Sequence, residues 1–170
     1  KQLAYIPDNP DLYEFMTGIQ FLNFIADIFA ISQEQRQERI HKYAQQFELL
    51  EDLAQPISAY SHGMKQKLAV ISALIHEPKL IIMDEPTAGL DPKERVRIRE
   101  KISQLAEGKI IMIATHVVSD IESIAKEIVV IKEGHMIDKD SVVSLCRKYG
   151  NAENLEQVYM NIFGNEEEHE

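Results

Sequence analysis

Cysteine is nearly absent from this sequence: Cys146 alone stands in 170 residues. No disulfide can form within the chain, which suits a reducing compartment. Its apolar neighbours Val142, Val143 and Leu145 mark Cys146 as a small buried hydrophobe. Long apolar runs are missing as well. The densest, FLNFIADIFAI over 21–31, is broken by Asn23 and Asp27, and LAVISALI over 68–75 falls far short of the about 20 residues that cross a bilayer. No secretory leader pattern is visible, so any service to a membrane runs through a partner.

Positive charge is the third scarcity. Lys and Arg number 18 against 28 Asp and Glu, a net charge of −10, which argues against a broad nucleic-acid surface because phosphate contacts need clustered cations. Four of the acids, Glu166, Glu167, Glu168 and Glu170, crowd the terminal GNEEEHE. The local cluster Lys93, Arg95, Arg97, Arg99 and Lys101 is interleaved with Glu94 and Glu100 on an expected helix and reads as a solvated face. His41, His62, His76, His135 and His169 show no metal-ligand spacing with Cys146 or with one another.

What is present is ordinary globular material, 45% hydrophobic, enough for one core. Ile19, Leu22, Ile25 and Phe29, widened by Phe21, Phe24 and Ile28, predict a mostly buried helix over 17–31 that Thr17 can cap. Ser32 with Gln35 opens a second helix as a capping box, with Ile40, Tyr43, Ala44, Phe47 and Leu50 as its stripe. Residues 63–77 predict a helix stopped by Pro78. Asp91, Pro92 and Glu94 supply the cap, first-turn proline and capping acid of another that closes at Gly108. Strand 110–114, helix 119–125 and strand 128–131 continue the alternation expected of a parallel sheet. Glu133-Gly134 reads as a hairpin turn, and helices follow at 142–149 and 155–163. The expected organisation is one partial domain over 1–170, with a helical insert at 11–60, an α/β part at 61–140, and C-terminal helices with an acidic tail at 141–170.

The most pointed stretch is LIIMDEPTAGLDP over 80–92. Four successive apolar residues, Leu80, Ile81, Ile82 and Met83, suit a strand covered on both faces, and function at parallel sheets gathers beyond the carboxyl ends of the strands. Asp84 and Glu85 sit at that end. Neighbouring strand residues face opposite ways, so one acid can hold a cation while the other faces an attacking water. Upstream, Ser61, Gly63 and Met64 begin a helix whose free N–H groups and nearby hydroxyl can form an anion site.

Taken in order, YIPDNP (5–10), YSHGM (60–64), LIIMDE (80–85), AGLD (88–91) and His116 after the strand IIMIAT resemble the ATP-binding cassette (ABC) family of ATPases over nearly the whole chain. The resemblance implies a partial P-loop NTPase sheet with an α-helical insert. It implies ATP and Mg2+ as ligands, Glu85 as base, Asp84 on the metal, and His116 on the terminal phosphate. Ser61, Gly63 and Met64 would act on the nucleotide of a second ABC ATPase subunit in a dimer. Asp8 stands where the family usually has Gln near the metal, and Asp91 takes the place of the interface acid while also capping a helix. Tyr60, His62 and Met64 depart from the usual L-S-G-G-Q. A separate integral-membrane permease, a peripheral place on the cytoplasmic membrane face and no nucleic-acid partner are also implied. YSHGMKQ and LEQVYMNIFG look most like cassettes of multidrug or antibiotic exporters.

The phosphate loop G-x-x-x-x-G-K-[ST] is missing: Gly108-Lys109 is followed by Ile110, with Ser103 in place of the first glycine. The expectation is a sequence that begins inside a domain. Two other readings stay open, a non-catalytic interaction module and a soluble ABC protein acting on nucleic acid or the ribosome.

Overall fold

The computed structural model describes residues 2–164, so the acidic stretch Glu166–Glu170, with His169, lies outside the described residues. Two compact units make up the chain, residues 1–115 and 116–170.

In the first unit, strands β1 (Leu3–Ile6), β2 (Leu80–Asp84) and β3 (Ile110–Ala114) pair in parallel in that order. Ile6 lies beside Met83, and Asp84 beside Ala114. Alternation along each strand gives the sheet two unlike faces. Ala4, Ile6, Ile81 and Met83 are at most 5% exposed, and a helix that is buried along most of its length, α3 (His62–Leu74), packs on β1. On the opposite face Leu3, Tyr5, Ile110 and Met112 are 50% to 66% exposed. The expected strand covered on both faces is therefore sealed on one; Leu80 and Ile82 are only half-buried.

The insert holds α1 (Gly18–Ile28) and α2 (Gln33–Gln46). Thr17 caps α1 in a full capping box with Gln20, and Ser32 Oγ accepts from Gln35 N at 3.3 Å. Its two ends are laced together, Ile57 N donating to Met16 O at 2.9 Å, and within its C-terminal end the Tyr60 hydroxyl donates to Asp52 O at 2.7 Å. A Cβ on Gly18 would lie 2.3 Å from the Tyr60 oxygen, so this close approach admits only glycine. Burial first, and Asp52 second, push the Tyr60 phenol up to about 12. Of the phenylalanines, Phe21 is core and Phe29 stacks on His76 at 4.0 Å. Phe24 keeps a surface position, grouped with the exposed Tyr13 and Phe15.

Helix α4 (Pro92–Leu105) starts where Asp91 Oδ1 accepts from Lys93 N and Glu94 N, both at 3.0 Å. Ile98, Ile102 and Leu105 face inward. Its basic residues are engaged locally: Arg97 with Glu94 at 3.0 Å, Lys101 with Glu48 at 3.5 Å, and Arg95 Nε on Leu90 O at 3.1 Å.

The second unit contains a one-turn α5 (Val118–Ile121), strands β4 (Ile128–Lys132) and β5 (His135–Asp140), α6 (Val142–Lys148) and α7 (Leu155–Phe163). β4 pairs antiparallel with β5 rather than extending the parallel sheet. The expected continuation of the parallel sheet at 128–131 is corrected accordingly, because the Glu133-Gly134 turn, with φ of 50° and 77°, folds the chain straight back on β4. Leu145, Leu155 and Val158 form the core of this unit, and Cys146 packs against it as a small hydrophobe.

Candidate functional site

The carboxyl end of the parallel sheet collects the acids. β2 stops at Asp84, half-buried on the open face of the sheet, where the Tyr5 hydroxyl donates weakly to Oδ2 at 3.4 Å. Glu85 leaves the strand at φ +44°. A non-glycine residue in that region carries about 1–3 kcal/mol of strain and persists only where its surroundings hold it. Two bonds do so here: Glu85 N donates to Ala114 O at 2.8 Å, continuing the β2–β3 ladder, and the Thr115 hydroxyl donates to Oε2 at 2.7 Å. Strand alternation, on which the expected opposite facing of the two acids rested, thus ends at Asp84, and Glu85 already lies in the turn. Thr115 went unassigned in the sequence; its only signal there is a hydroxyl directly following an apolar strand.

Beyond Glu85 the chain turns tightly. Ala88 N donates to Glu85 O at 3.0 Å, Thr87 is buried, and Gly89 takes φ +68° before Asp91 caps α4. Ser61 is the N-cap of α3, its Oγ accepting from Met64 N at 3.2 Å, with Gly63 and Met64 in the first turn. Asp8 is exposed in the loop after β1. His116 opens the second unit, its carbonyl accepting from Val118 N at 3.2 Å.

Oxygen donors suit Mg2+, which keeps several waters and takes one or two carboxylates with substrate phosphates. Asp84 fits that demand. No group of three or more His, Cys, Asp or Glu able to hold a metal occurs among the described residues, so a metal here would be completed by phosphate and water. No helix among the described residues is long and apolar enough to cross a membrane.

Sequence and structure comparisons point one way. A profile of the ABC transporter family matches residues 1–88. The chain is 34% identical to an uncharacterized ABC transporter ATP-binding protein of Synechocystis, over 99% of this chain and 47% of that protein. It is 30% identical to the linearmycin resistance ATP-binding protein LnrL of Bacillus subtilis, over 88% of this chain and 49% of that one. A solved ATP-binding subunit of an ABC transporter superposes with a TM-score of 0.82 at 31% identity, covering 95% of this chain and 68% of that one. The fold is also that of cbiO1 from Clostridium perfringens, part of the ABC transporter complex cbiONQ, with a TM-score of 0.79 at 24% identity over 95% of this chain and 64% of that one. The chain spans about half the length of the curated relatives it matches.

Proposed function

Because the chain belongs to the ABC transporter family of ATP-binding proteins, with the P-loop NTPase fold of its ATPase subunits, we propose that it carries the hydrolytic half of a nucleotide site in a longer subunit. The observation that carries this reading is Glu85, strained at the end of a parallel sheet and held through its carboxylate by Thr115. Members of the family bind and hydrolyse ATP. In the proposed arrangement Glu85 orients and deprotonates the attacking water, with the Thr115 hydroxyl fixing the position of its carboxylate. Asp84 is the residue that would hold Mg2+, through water, and the ion supplies charge neutralisation on the phosphates when bound. Asp8 would face the same ion or water. His116 would donate to an oxygen of the terminal phosphate.

Ser61, Gly63 and Met64 would present the amino end of α3 to the nucleotide of a second subunit, with Asp91 at the same interface. The phosphate loop that the chain lacks would come from a segment outside it, laid on the open face formed by Leu3, Tyr5, Ile110 and Met112. A membrane permease is the proposed further partner. The exposed Tyr13, Phe15 and Phe24 group is its docking point, because clustered exposed aromatics mark interfaces. That partner would put the protein at the cytoplasmic membrane face. Export as the direction of transport rests on the YSHGMKQ stretch and on the likeness to a resistance protein.

Glu85→Gln in the full-length subunit tests the assignment. Turnover should fall roughly 10^2- to 10^4-fold while ATP binding persists; near-normal turnover would refute it. The rival, a non-catalytic interaction module, is favoured by the missing phosphate loop and would stand if the full-length protein showed no turnover that Glu85→Gln could lower.

A further inference from the structure

His62 occupies the first position of α3, between Ser61 and Gly63, where the family resemblance has glycine. Its imidazole reaches across to the turn that follows Glu85. His62 Nε2 lies 3.1 Å from Ala88 O, and a carbonyl only accepts, so this nitrogen carries the proton. The ring also fills the space beside Gly89: a Cβ there would meet Nε2 at 3.2 Å and Cδ2 at 3.3 Å. One residue on, Leu90 is 7% exposed and its Cδ2 sits 3.5 Å from where a Cβ on Gly63 would be. The first turn of α3 and the 85–91 turn therefore meet through one hydrogen bond and two close packings. Glycine at position 62 would supply neither the donor nor the ring.

We propose that His62 is a positioning residue that fastens the 85–91 turn to the amino end of α3. Its consequence for turnover rests on the function proposed above: the anion-binding end of α3, the Asp91 cap and the backbone leaving Glu85 then form one rigid frame. A phosphate reaching Ser61, Gly63 and Met64 meets a turn already set, and the ordering cost of that turn is removed from nucleotide-driven subunit closure. The amino end of α3 and the Glu85 turn are thus joined by a side-chain contact that glycine at this position could not make.

The experiment compares His62→Gln, which keeps a donor at the reach of Nε2, with His62→Phe, which keeps a ring without a donor, and His62→Ala, which keeps neither. Amide exchange of Ala88 and Leu90 in the nucleotide-free full-length protein reads the clamp itself, since both N–H groups are bonded within the turn. Exchange should quicken about 3- to 10-fold in the Phe and Ala variants, the worth of one hydrogen bond, and stay unchanged in the Gln variant. Steady-state assays with Mg-ATP should show KM raised about 3- to 10-fold in Phe and Ala with kcat within about twofold, and both restored in Gln. Slow exchange in Phe together with fast exchange in Gln would overturn the hydrogen-bond clamp in favour of ring packing. Quickened exchange with KM unchanged in all three would overturn its role in phosphate handling. Should Glu85→Gln turn over normally, the ATPase reading falls while the exchange result still decides the clamp.

Discussion

The two faces of the β1–β2–β3 sheet are made from the same strands and are both apolar, yet one is sealed along β1 and β2, with Ile111 and Ile113 of β3 half-buried, and the other is open. Ala4, Ile6, Ile81 and Met83 are at most 5% exposed, whereas Leu3, Tyr5, Ile110 and Met112 are half exposed or more. Hydrophobicity does not separate the two sets; the presence of α3 does. Parallel strands are normally covered on both faces, and the open face here runs Leu80, Ile82, Asp84 along β2, ending in the acid proposed to hold Mg2+. The open face and the proposed metal residue belong to one surface, which is why the segment that covers it is assigned the phosphate loop.

The largest effect expected from that difference is on nucleotide affinity. The 170-residue chain alone should bind Mg-ATP about a thousandfold more weakly than the low-micromolar range, a difference of about 4 kcal/mol. It has no glycine-rich nest or Lys to cradle phosphates, and its open face favours self-association. Calorimetric titration checks this. A low-micromolar site on a monodisperse chain would break the link between the open face and the phosphate loop.

Next comes the contrast in stability within one sheet. Met83→Ala, on the sealed face at 0% exposure, should cost about 2–5 kcal/mol. Met112→Ala on the open face, at 54%, should stay within about 0.5 kcal/mol. Urea midpoints of the same chain measure both, and equal losses would mean that the open face is covered in solution.

How much of this could be read from the sequence follows the range of the interactions involved. Helix starts were legible because Thr17, Ser32, Ser61 and Asp91 act on amides two or three residues away. The place of Asp84 and Glu85 was legible because an apolar run ends there. The left-handed Glu85 was not, since its bonds go to Ala114 and Thr115, about thirty residues on. The lock of Tyr60 onto Asp52 and Gly18 was hidden for the same reason. The antiparallel partner of β4 was within reach, since the hairpin turn at Glu133-Gly134 was visible and it is that turn which folds β5 back on β4; the expected parallel continuation at 128–131 gave the turn too little weight. The roles of His116 and Asp8 still rest on the family resemblance.

A smaller effect sharpens the comparison at the strand ends. Thr115→Val keeps the side-chain shape and removes the donor to Glu85, so if Glu85 is the base proposed above, kcat of the longer subunit should fall about tenfold with KM for ATP unchanged, as loss of a hydrogen bond to a charged group predicts. Thr115→Ser should restore it. A Ser variant as slow as the Val variant would show that the hydroxyl has no part in holding the carboxylate.

The smallest effect concerns the cover of the sealed face. Lys67 on α3 pairs with Glu94 on α4 at 3.0 Å, and Arg97 adds a second donor at 3.0 Å. The hydrogen bond from Lys67 is the main cause that holds the Glu94 carboxyl below its ordinary value, with Arg97 adding to it against a partial cost of burial. A carboxylate whose value is lower folded than unfolded stabilises the fold above the unfolded value, and that contribution is lost as pH falls through the folded one. Glu94→Gln should therefore lower stability by about 1 kcal/mol near neutral pH. The gap should close as the wild type is acidified through the carboxylate range, because both side chains are then neutral. Urea midpoints of the two proteins across that range measure it, with Met112→Ala as the control whose gap stays flat. A Glu94→Gln deficit that persists undiminished in acid would place its cause in packing between α3 and α4 rather than in charge.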